Sequence, residues 1–151
     1  MSRESKILTP KIWGLQETIS HYESFGWELL SVNGNQIMMS RETQNPVYAE
    51  LVMLQASYEE KVEEYARLVA PQKPKAPVPI SIPTCLITLV CLVIPFAVYL
   101  TCKIIENNKH KEAMAIYEAQ FAEYERKKKA IKDEMRAIIL QGKTTFFSKQ
   151  N

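Results

Sequence analysis

The side chains best suited to catalysis or metal binding are few and widely spaced in this 151-residue chain. The two histidines, His21 and His110, lie far apart, and neither has a pattern of cysteine or aspartate beside it. Nucleophilic catalysis needs a nucleophile, a base and an orienting group together, and this spacing does not assemble them. The sequence therefore predicts a protein that is not an enzyme, with no catalytic residues.

The three cysteines, Cys85, Cys91 and Cys102, all fall in one apolar segment. There they behave as small hydrophobic residues, and a structural disulfide is not expected. Cys91 and Cys102 share a helical face but lie three turns apart, too far to bind one metal ion. Palmitoylation of Cys102 is the alternative. We expect no metal site and no cofactor.

Charge and glycine content exclude further classes of partner. Lys and Arg number 19 against 17 Asp and Glu, a formal net charge of +2, and the basic residues 126–129 have acidic neighbours. A solvated helix face is therefore favoured over binding to nucleic acid or acidic lipid. The glycines are scattered, so no glycine-rich loop is available to bind phosphate. We expect no nucleic-acid partner.

An apolar segment, residues 80–102, lies within a stretch that has no charged residue between Lys75 and Lys103. As a helix it would be about 34 Å long, enough to cross the hydrocarbon core of a bilayer. The sequence therefore predicts a membrane-anchored protein with the lipid bilayer as a partner. The residues expected to mark this segment are Pro83, Leu86, Leu89, Cys91, Pro95, Phe96, Tyr99 and Cys102.

Pro95 leaves two topologies open for this segment. Its length favours one proline-kinked transmembrane helix, and a re-entrant hairpin that turns near Pro95 is the alternative. The polar N-terminus has no secretory signal, so we expect a location in the cell membrane with the N-terminal domain in the cytosol. A single span would place the residues after Lys103 on the other side, whereas a hairpin would keep them in the cytosol.

The N-terminal part, residues 8–70, is expected to form a small α-β-β-α domain. Thr9-Pro10 predicts the start of a helix that ends at Gly26. Two apolar segments then flank Asn33-Gly34, which predicts a type I′ β-hairpin with Leu30 opposite Ile37. Both faces of this hairpin carry apolar side chains, so both need to be covered.

A second helix is expected after Asn45-Pro46, another pair of residues typical of a helix start. Apolar residues then recur at helical spacing, at Val47, Leu51, Leu54, Tyr58, Val62, Tyr65 and Val69. The alternative is that residues 47–54 form a third strand. Residues 71–79 are proline-rich and are expected to be an extended linker, with a polyproline ligand as the alternative.

The segment Gly26-Trp27-Glu28-Leu29-Leu30-Ser31-Val32, followed later by Ser40-Arg41, resembles a family of small bacterial domains of unknown function. In that family a helix leads into a Gly-Trp-Glu-Leu-Val-Ser-Val-like strand, and a second strand ends in a basic residue. The resemblance covers roughly residues 12–41 and implies a helix-hairpin fold and a bacterial source, but no activity. Met39-Ser40 stand where the family commonly has an aromatic residue.

The C-terminal part, residues 103–141, is predicted to be one long helix with a coiled-coil-like seam. Apolar residues recur every three or four positions, although Lys128 interrupts them, so the seam is expected to pack on itself or on another helix. Gly142 is expected to end the helix and residues 142–151 to form a flexible tail. The seam residues are Met114, Tyr117, Phe121, Tyr124, Ile131, Met135 and Ile138.

Residues 58–67 and 117–126 are identical at five of ten positions. This similarity arises either from shared helical composition or from helices that pair. The fold class predicted overall is a mostly α membrane protein with one transmembrane helix. The predicted function is a membrane-anchored interaction or assembly protein that binds itself or another membrane-associated protein through helices. The alternative is an accessory or regulatory subunit of a membrane transporter or channel.

Overall fold

The computed structural model describes residues 2–79 and 93–148, with the side chains of 93–96 left out. In chain order the elements are β1 (Arg3–Leu8), α1 (Leu15–Glu23), β2 (Glu28–Asn33), β3 (Gln36–Glu42), α2 (Tyr48–Arg67) and α3 (Val93–Ser148). The chain forms two compact units. The sheet unit consists of Met1–Leu68 and Arg126–Asn151, and the linker unit consists of Val69–Glu125.

The sheet unit is built on a three-stranded antiparallel sheet in the order β1-β3-β2. The strand β1 was not predicted from the sequence, and it pairs with β3 so that Ile7 lies opposite Met38 and Leu8 opposite Ile37. An isolated two-stranded hairpin is marginally stable in water, and a third strand makes β3 the central one. The domain is therefore β-α-β-β-α rather than the α-β-β-α domain predicted.

The predicted β-hairpin is present, but its register differs by one residue at the turn. Asn33 pairs with Gln36, so the two loop residues are Gly34 and Asn35. Only Gly34 has a positive φ, 59°, as in a type II′ turn rather than the predicted type I′ turn. A β-bulge between Leu29 and Ser31 then shifts the register again. Val32, not Leu30, lies opposite Ile37.

The two prolines predicted to start helices differ in outcome. Helix α1 begins at Leu15 instead of following Thr9-Pro10, and it is followed by Gly26, whose φ of 81° suits only glycine. Helix α2 begins after a turn in which the Asn45 side chain accepts the Val47 N–H at 3.0 Å. The helix prediction for this region is confirmed, and the alternative of a third strand at 47–54 is wrong.

One face of the sheet is covered by helices and carries the core. Ile37 and Met39 of β3 are fully buried beside aromatic residues of α1 and α2. Burying each such side chain contributes roughly 1.5–3 kcal/mol to stability. The core cluster consists of Leu8, Ile19, Tyr22, Phe25, Trp27, Ile37, Met39, Tyr58, Ile131 and Met135.

The membrane prediction is contradicted, because among residues 2–79 and 93–148 no helix has an apolar stretch of the length a bilayer crossing requires. A crossing needs about 20 apolar residues, whereas α3 begins at Val93 and meets its first charged residue at Lys103. The predicted fold class of a membrane protein and the predicted location in the cell membrane are therefore wrong. Four marker residues of the predicted span lie outside the described residues: Pro83, Leu86, Leu89 and Cys91.

The described part of the predicted span also differs from a kinked helix. Pro95 is the third residue of α3, where a backbone N–H has no partner within the helix, so the proline interrupts nothing. Phe96 lies in the same first turn, Tyr99 is half-buried, and Cys102 is an exposed free thiol. Directly after the predicted span, Lys103 Nζ donates a hydrogen bond to Val78 O at 3.2 Å.

Candidate interaction surface

The second half of the predicted seam is buried inside the sheet unit. Ile131 and Met135 belong to the core cluster, Met135 with no exposed area, and Ile138 packs against them. Residues of α2 contact the same stretch of α3: Lys61 Nζ lies 2.8 Å from a Glu134 carboxylate oxygen. This part of the seam therefore packs within the chain, in the core of the sheet unit.

Gly142 continues this contact rather than ending the helix. Helix α3 extends past it to Ser148, and a Cβ atom at position 142 would lie 2.8 Å from the ring of Phe25 and 3.0 Å from the carbonyl oxygen of Ser24. Real Cβ atoms do not approach other atoms so closely. Glycine is therefore required here because the helix backbone lies directly against the end of α1.

The first half of the seam lies in the linker unit and outside the core cluster. The rings of Tyr117 and Phe121 stack with centroids 5.7 Å apart, and those of Phe121 and Tyr124 lie 6.2 Å apart. Met114, Tyr117 and Tyr124 are half-buried, and Phe121 is 40% exposed. The seven predicted residues thus share one helix but have two different environments.

A polar network links the core of the sheet unit to α2. Glu59 Oε1 accepts hydrogen bonds from Lys6 Nζ at 2.5 Å, from the Tyr22 hydroxyl at 2.8 Å and from Gln55 Nε2 at 2.8 Å. Gln55 Oε1 in turn accepts the indole N–H of Trp27 at 2.8 Å. Burial alone would raise the pKa of Glu59, but these donors outweigh it, and the pKa is lowered. Three donors therefore hold one oxygen of the Glu59 carboxylate and favour its charged form.

His21 packs among aromatic rings, and its pKa is shifted from the ordinary value. Its Nδ1 lies 2.8 Å from the Tyr58 hydroxyl, and its ring meets Trp13 and Tyr58 edge-on. Burial lowers the pKa of His21, against a smaller opposing effect of Glu17. Burial also raises the pKa of Tyr58 far above its ordinary value, so its hydroxyl stays neutral. The pair links α1 to α2 through this hydrogen bond and the edge-on ring contact.

A cavity of about 340 Å³ lies beside these rings, between β1 and α2. Its charged groups form ion pairs with one another: Lys6 with Glu59, and Lys11 with Glu63 at 3.6 Å. A ligand would have to displace these pairs to use their charge. The cavity therefore offers no ready charged group for substrate binding.

Arg41 is a buried cation held between two aromatic rings. Its guanidinium carbon lies 4.6 Å from the centroid of Trp27 and 4.9 Å from that of Tyr48. Nε and Nη2 donate to Glu4 Oε1 at 2.7 and 2.5 Å, and Nη1 donates to Phe25 O at 3.2 Å. Arg41 was singled out from the sequence only through the resemblance to the bacterial domains. Its contacts join β1 and β3 to the start of α2 and to the segment between α1 and β2, which is a structural role.

The hairpin leaves an apolar surface uncovered. Helices bury Ile37 and Met39 of β3, but they do not bury the apolar side chains of β2, although Leu29 and Val32 lie on the same face of the sheet. We define the hairpin patch as Leu29, Leu30 and Val32, which are 43%, 52% and 43% exposed. The sequence predicted that both faces of the hairpin would need cover, and the structure identifies the strand that lacks it.

Neither metal chemistry nor a known relative accounts for these features. Among the described residues, no group of three or more His, Cys, Asp or Glu side chains is arranged to hold a metal ion. Comparison of the chain with protein-family models, curated proteins and solved structures finds no match. The hairpin patch is therefore the surface on which a functional proposal can be based.

Proposed function

We propose that this chain is a non-catalytic protein–protein interaction module that self-associates through the hairpin patch. The observation that supports this most directly is the exposure of Leu29, Leu30 and Val32 on a single strand. Three neighbouring apolar side chains at a sheet edge are unusual in soluble domains, because such edges promote association with other chains.

The two edge strands of the sheet differ in how they are protected. The outer strand β1 carries Arg3, Glu4 and Lys6, and charged residues at an edge discourage pairing with another chain. The outer strand β2 carries only one charge, Glu28, and its remaining residues are apolar or neutral. Contact with a second chain is therefore favoured at β2 over β1.

The bulge decides how β2 would make this contact. Between Leu29 and Ser31 the ladder with β3 is interrupted, and a bulge bends its strand and increases its twist. A bent edge is a poor template for a long backbone ladder. The contact therefore depends on the apolar side chains, with Leu29 and Leu30 adjacent on the strand.

A second copy is the occupant that fits this patch best. A two-fold contact brings the same patch from both subunits together, so an apolar patch meets an apolar patch. If two β2 strands cross antiparallel at their midpoint, Leu29 faces Val32 and Glu28 faces Asn33 of the other copy. No like charges meet in this arrangement.

The test is the sedimentation velocity of the purified full-length chain over a range of concentrations, for the wild type and the variant Leu30→Asp. The wild type should shift from monomer to dimer as concentration rises, and Leu30→Asp should weaken the association at least about tenfold, because the dimer would bury an unpaired charge. Met53→Asp is the matched control, since Met53 is an apolar residue 72% exposed on α2, outside the patch. A wild type that stays monomeric, or a Leu30→Asp variant that dimerises like Met53→Asp, would contradict the proposal.

A further inference from the structure

The proline-rich residues of the linker unit show a burial pattern with a period of three. Pro71, Pro74 and Pro77 are half-buried, whereas the residues between them are exposed. Residues 69–79 form neither helix nor strand. A polyproline II helix has three residues per turn, so one side of it contains every third residue. This segment therefore has one side against protein and the other against solvent.

One end of the segment is fixed on helix α3. Lys103 Nζ donates to Val78 O at 3.2 Å and contacts a Glu106 carboxylate oxygen at 2.7 Å. The same end of the segment lines an apolar cavity of about 290 Å³, together with side chains from two turns of α3. The lining residues are Pro77, Val78, Pro79, Leu100, Lys103, Ile104 and Asn107.

The repeats of the two elements match in length. One polyproline II turn advances about 9.3 Å, and seven helical residues advance about 10.5 Å. Each step of three residues in the segment therefore corresponds to about seven residues of α3. With Pro77 beside Lys103, an antiparallel arrangement places Pro74 beside His110 and Pro71 beside Tyr117.

The burial of α3 supports this antiparallel arrangement. Lys103, His110, Tyr117 and Tyr124 are half-buried and repeat every seven residues, so the helix is shielded along one stripe. A parallel arrangement would run from Lys103 toward the start of α3 and would leave Tyr117 uncovered. Residues 69–79 and 93–125 belong to one compact unit, as close packing along this stripe requires.

We propose that the stripe of α3 from Lys103 to Tyr117 is a polyproline II-binding surface, occupied by residues 71–79 of the same chain. Aromatic grooves recognise polyproline II segments in many interaction domains, because proline rings pack flat on aromatic rings and the extended segment loses little entropy on binding. The stacked Tyr117 and Phe121 provide such a surface. The first half of the predicted coiled-coil seam is then used within the chain.

Disulfide crosslinking of the full chain tests this contact and its register. With Cys85, Cys91 and Cys102 replaced by Ser, the pair Pro74→Cys and His110→Cys is compared with the pair Lys73→Cys and His110→Cys. Position 74 is on the half-buried side of the segment and position 73 is on the exposed side. On mild oxidation of dilute protein, the first pair should form an intramolecular disulfide several times faster than the second.

Equal rates for the two pairs, or a disulfide that forms only between two chains, would overturn the proposal. Adding Tyr117→Ser and Phe121→Ser to the first pair should reduce its rate to that of the Lys73 pair. Crosslinking that persists in this variant would show that the aromatic stripe is not the binding surface. Both tryptophans, Trp13 and Trp27, lie in the sheet unit, so their unchanged fluorescence reports that this unit stays folded. A monomeric crosslink also forms whether or not the hairpin patch associates.

Discussion

The backbone of α3 at Gly142 lies directly against the ring of Phe25, so that a Cβ atom there would be 2.8 Å from two ring carbons. This contact joins the C-terminal helix to the end of α1, and Phe25 has no exposed area. A glycine in the middle of a helix normally weakens it by about 1 kcal/mol relative to alanine. Here the close packing requires the glycine.

We therefore predict that Gly142→Ala destabilises the protein, although alanine is the better helix former. The clash with Phe25 and the Ser24 carbonyl should outweigh the gain in helix propensity and leave a net loss of about 1–3 kcal/mol in the free energy of unfolding, measured in urea. Gly14→Ala is the control, because a Cβ there meets nothing within 4 Å and φ is −64°. A Gly142→Ala variant more stable than wild type would show that α3 does not lie this close to α1.

The two halves of the seam should respond differently to the same substitution. Met135→Ala opens a cavity in the core of the sheet unit and should lower the free energy of unfolding by about 2–5 kcal/mol. Met114→Ala removes a half-buried side chain from the linker unit and should cost less than about 1.5 kcal/mol. Chemical denaturation followed by tryptophan fluorescence measures the loss for Met135→Ala directly, because both tryptophans lie in the same unit as Met135. Similar losses for both variants would contradict the division of the seam into a core half and a linker half.

The periodic pattern of the seam shows what sequence can predict and where it stops. Heptad spacing indicates that one side of α3 is covered, and Ile131 and Met135 are indeed buried. The pattern does not specify the partner, because a neighbouring helix, a second copy and a proline-rich segment all require apolar residues at the same spacing. The half of the seam around Ile131 and Met135 packs against α1 and α2, which only the folded chain reveals.

Strand β1 was missed and the membrane helix was wrongly predicted, because residue polarity alone indicates neither an edge strand nor the start of a helix. The residues of β1, Arg3 to Leu8, are mostly polar because an edge strand buries little, so they lack the alternation by which strands are found. The prediction for 80–102 rested on hydropathy alone, which cannot show where a helix begins. The hairpin was predictable because Gly34 determines a tight turn, but the bulge at Leu29 leaves no clear signal in the sequence.

Arg41→Lys should be strongly destabilising despite keeping the charge. Lysine cannot donate two hydrogen bonds to Glu4 while it also bonds to the Phe25 carbonyl, and it stacks poorly between the rings of Trp27 and Tyr48. Breaking a buried, hydrogen-bonded ion pair typically costs about 3–5 kcal/mol, and since the charge is retained we expect about 2–3 kcal/mol here.

The control for this prediction is Arg3→Lys, because Arg3 pairs with Glu28 on the surface of the sheet, where both side chains are exposed. Exposed ion pairs contribute about 1 kcal/mol or less, so this variant should melt close to the wild type. Thermal melting of both variants, followed by circular dichroism, makes the comparison. Equal melting temperatures for Arg41→Lys and Arg3→Lys would mean that the aromatic rings around Arg41 contribute nothing measurable to the stability of the fold.

The stability of the protein should decrease as the pH falls below 6.5, because of His21. Burial lowers the pKa of His21 from 6.5 in the folded state, whereas the unfolded chain titrates near that value. Between the two values the unfolded state binds more protons, so acidification favours unfolding. The contribution is present in full above pH 6.5 and is lost as the pH falls toward the folded value. Glu59 acts in a separate window, since its folded pKa lies below 4.5 and its contribution is lost only under more acidic conditions.

The variant His21→Gln separates the two windows, because glutamine retains a polar partner for the Tyr58 hydroxyl but does not titrate. Urea denaturation at several pH values between 7 and 5 should show a smaller loss of stability for His21→Gln than for the wild type, while both lose stability below pH 4.5 through Glu59. An unchanged slope in His21→Gln would mean that the imidazole remains free to protonate in the folded protein, and that its contact with Tyr58 does not exclude the charged form.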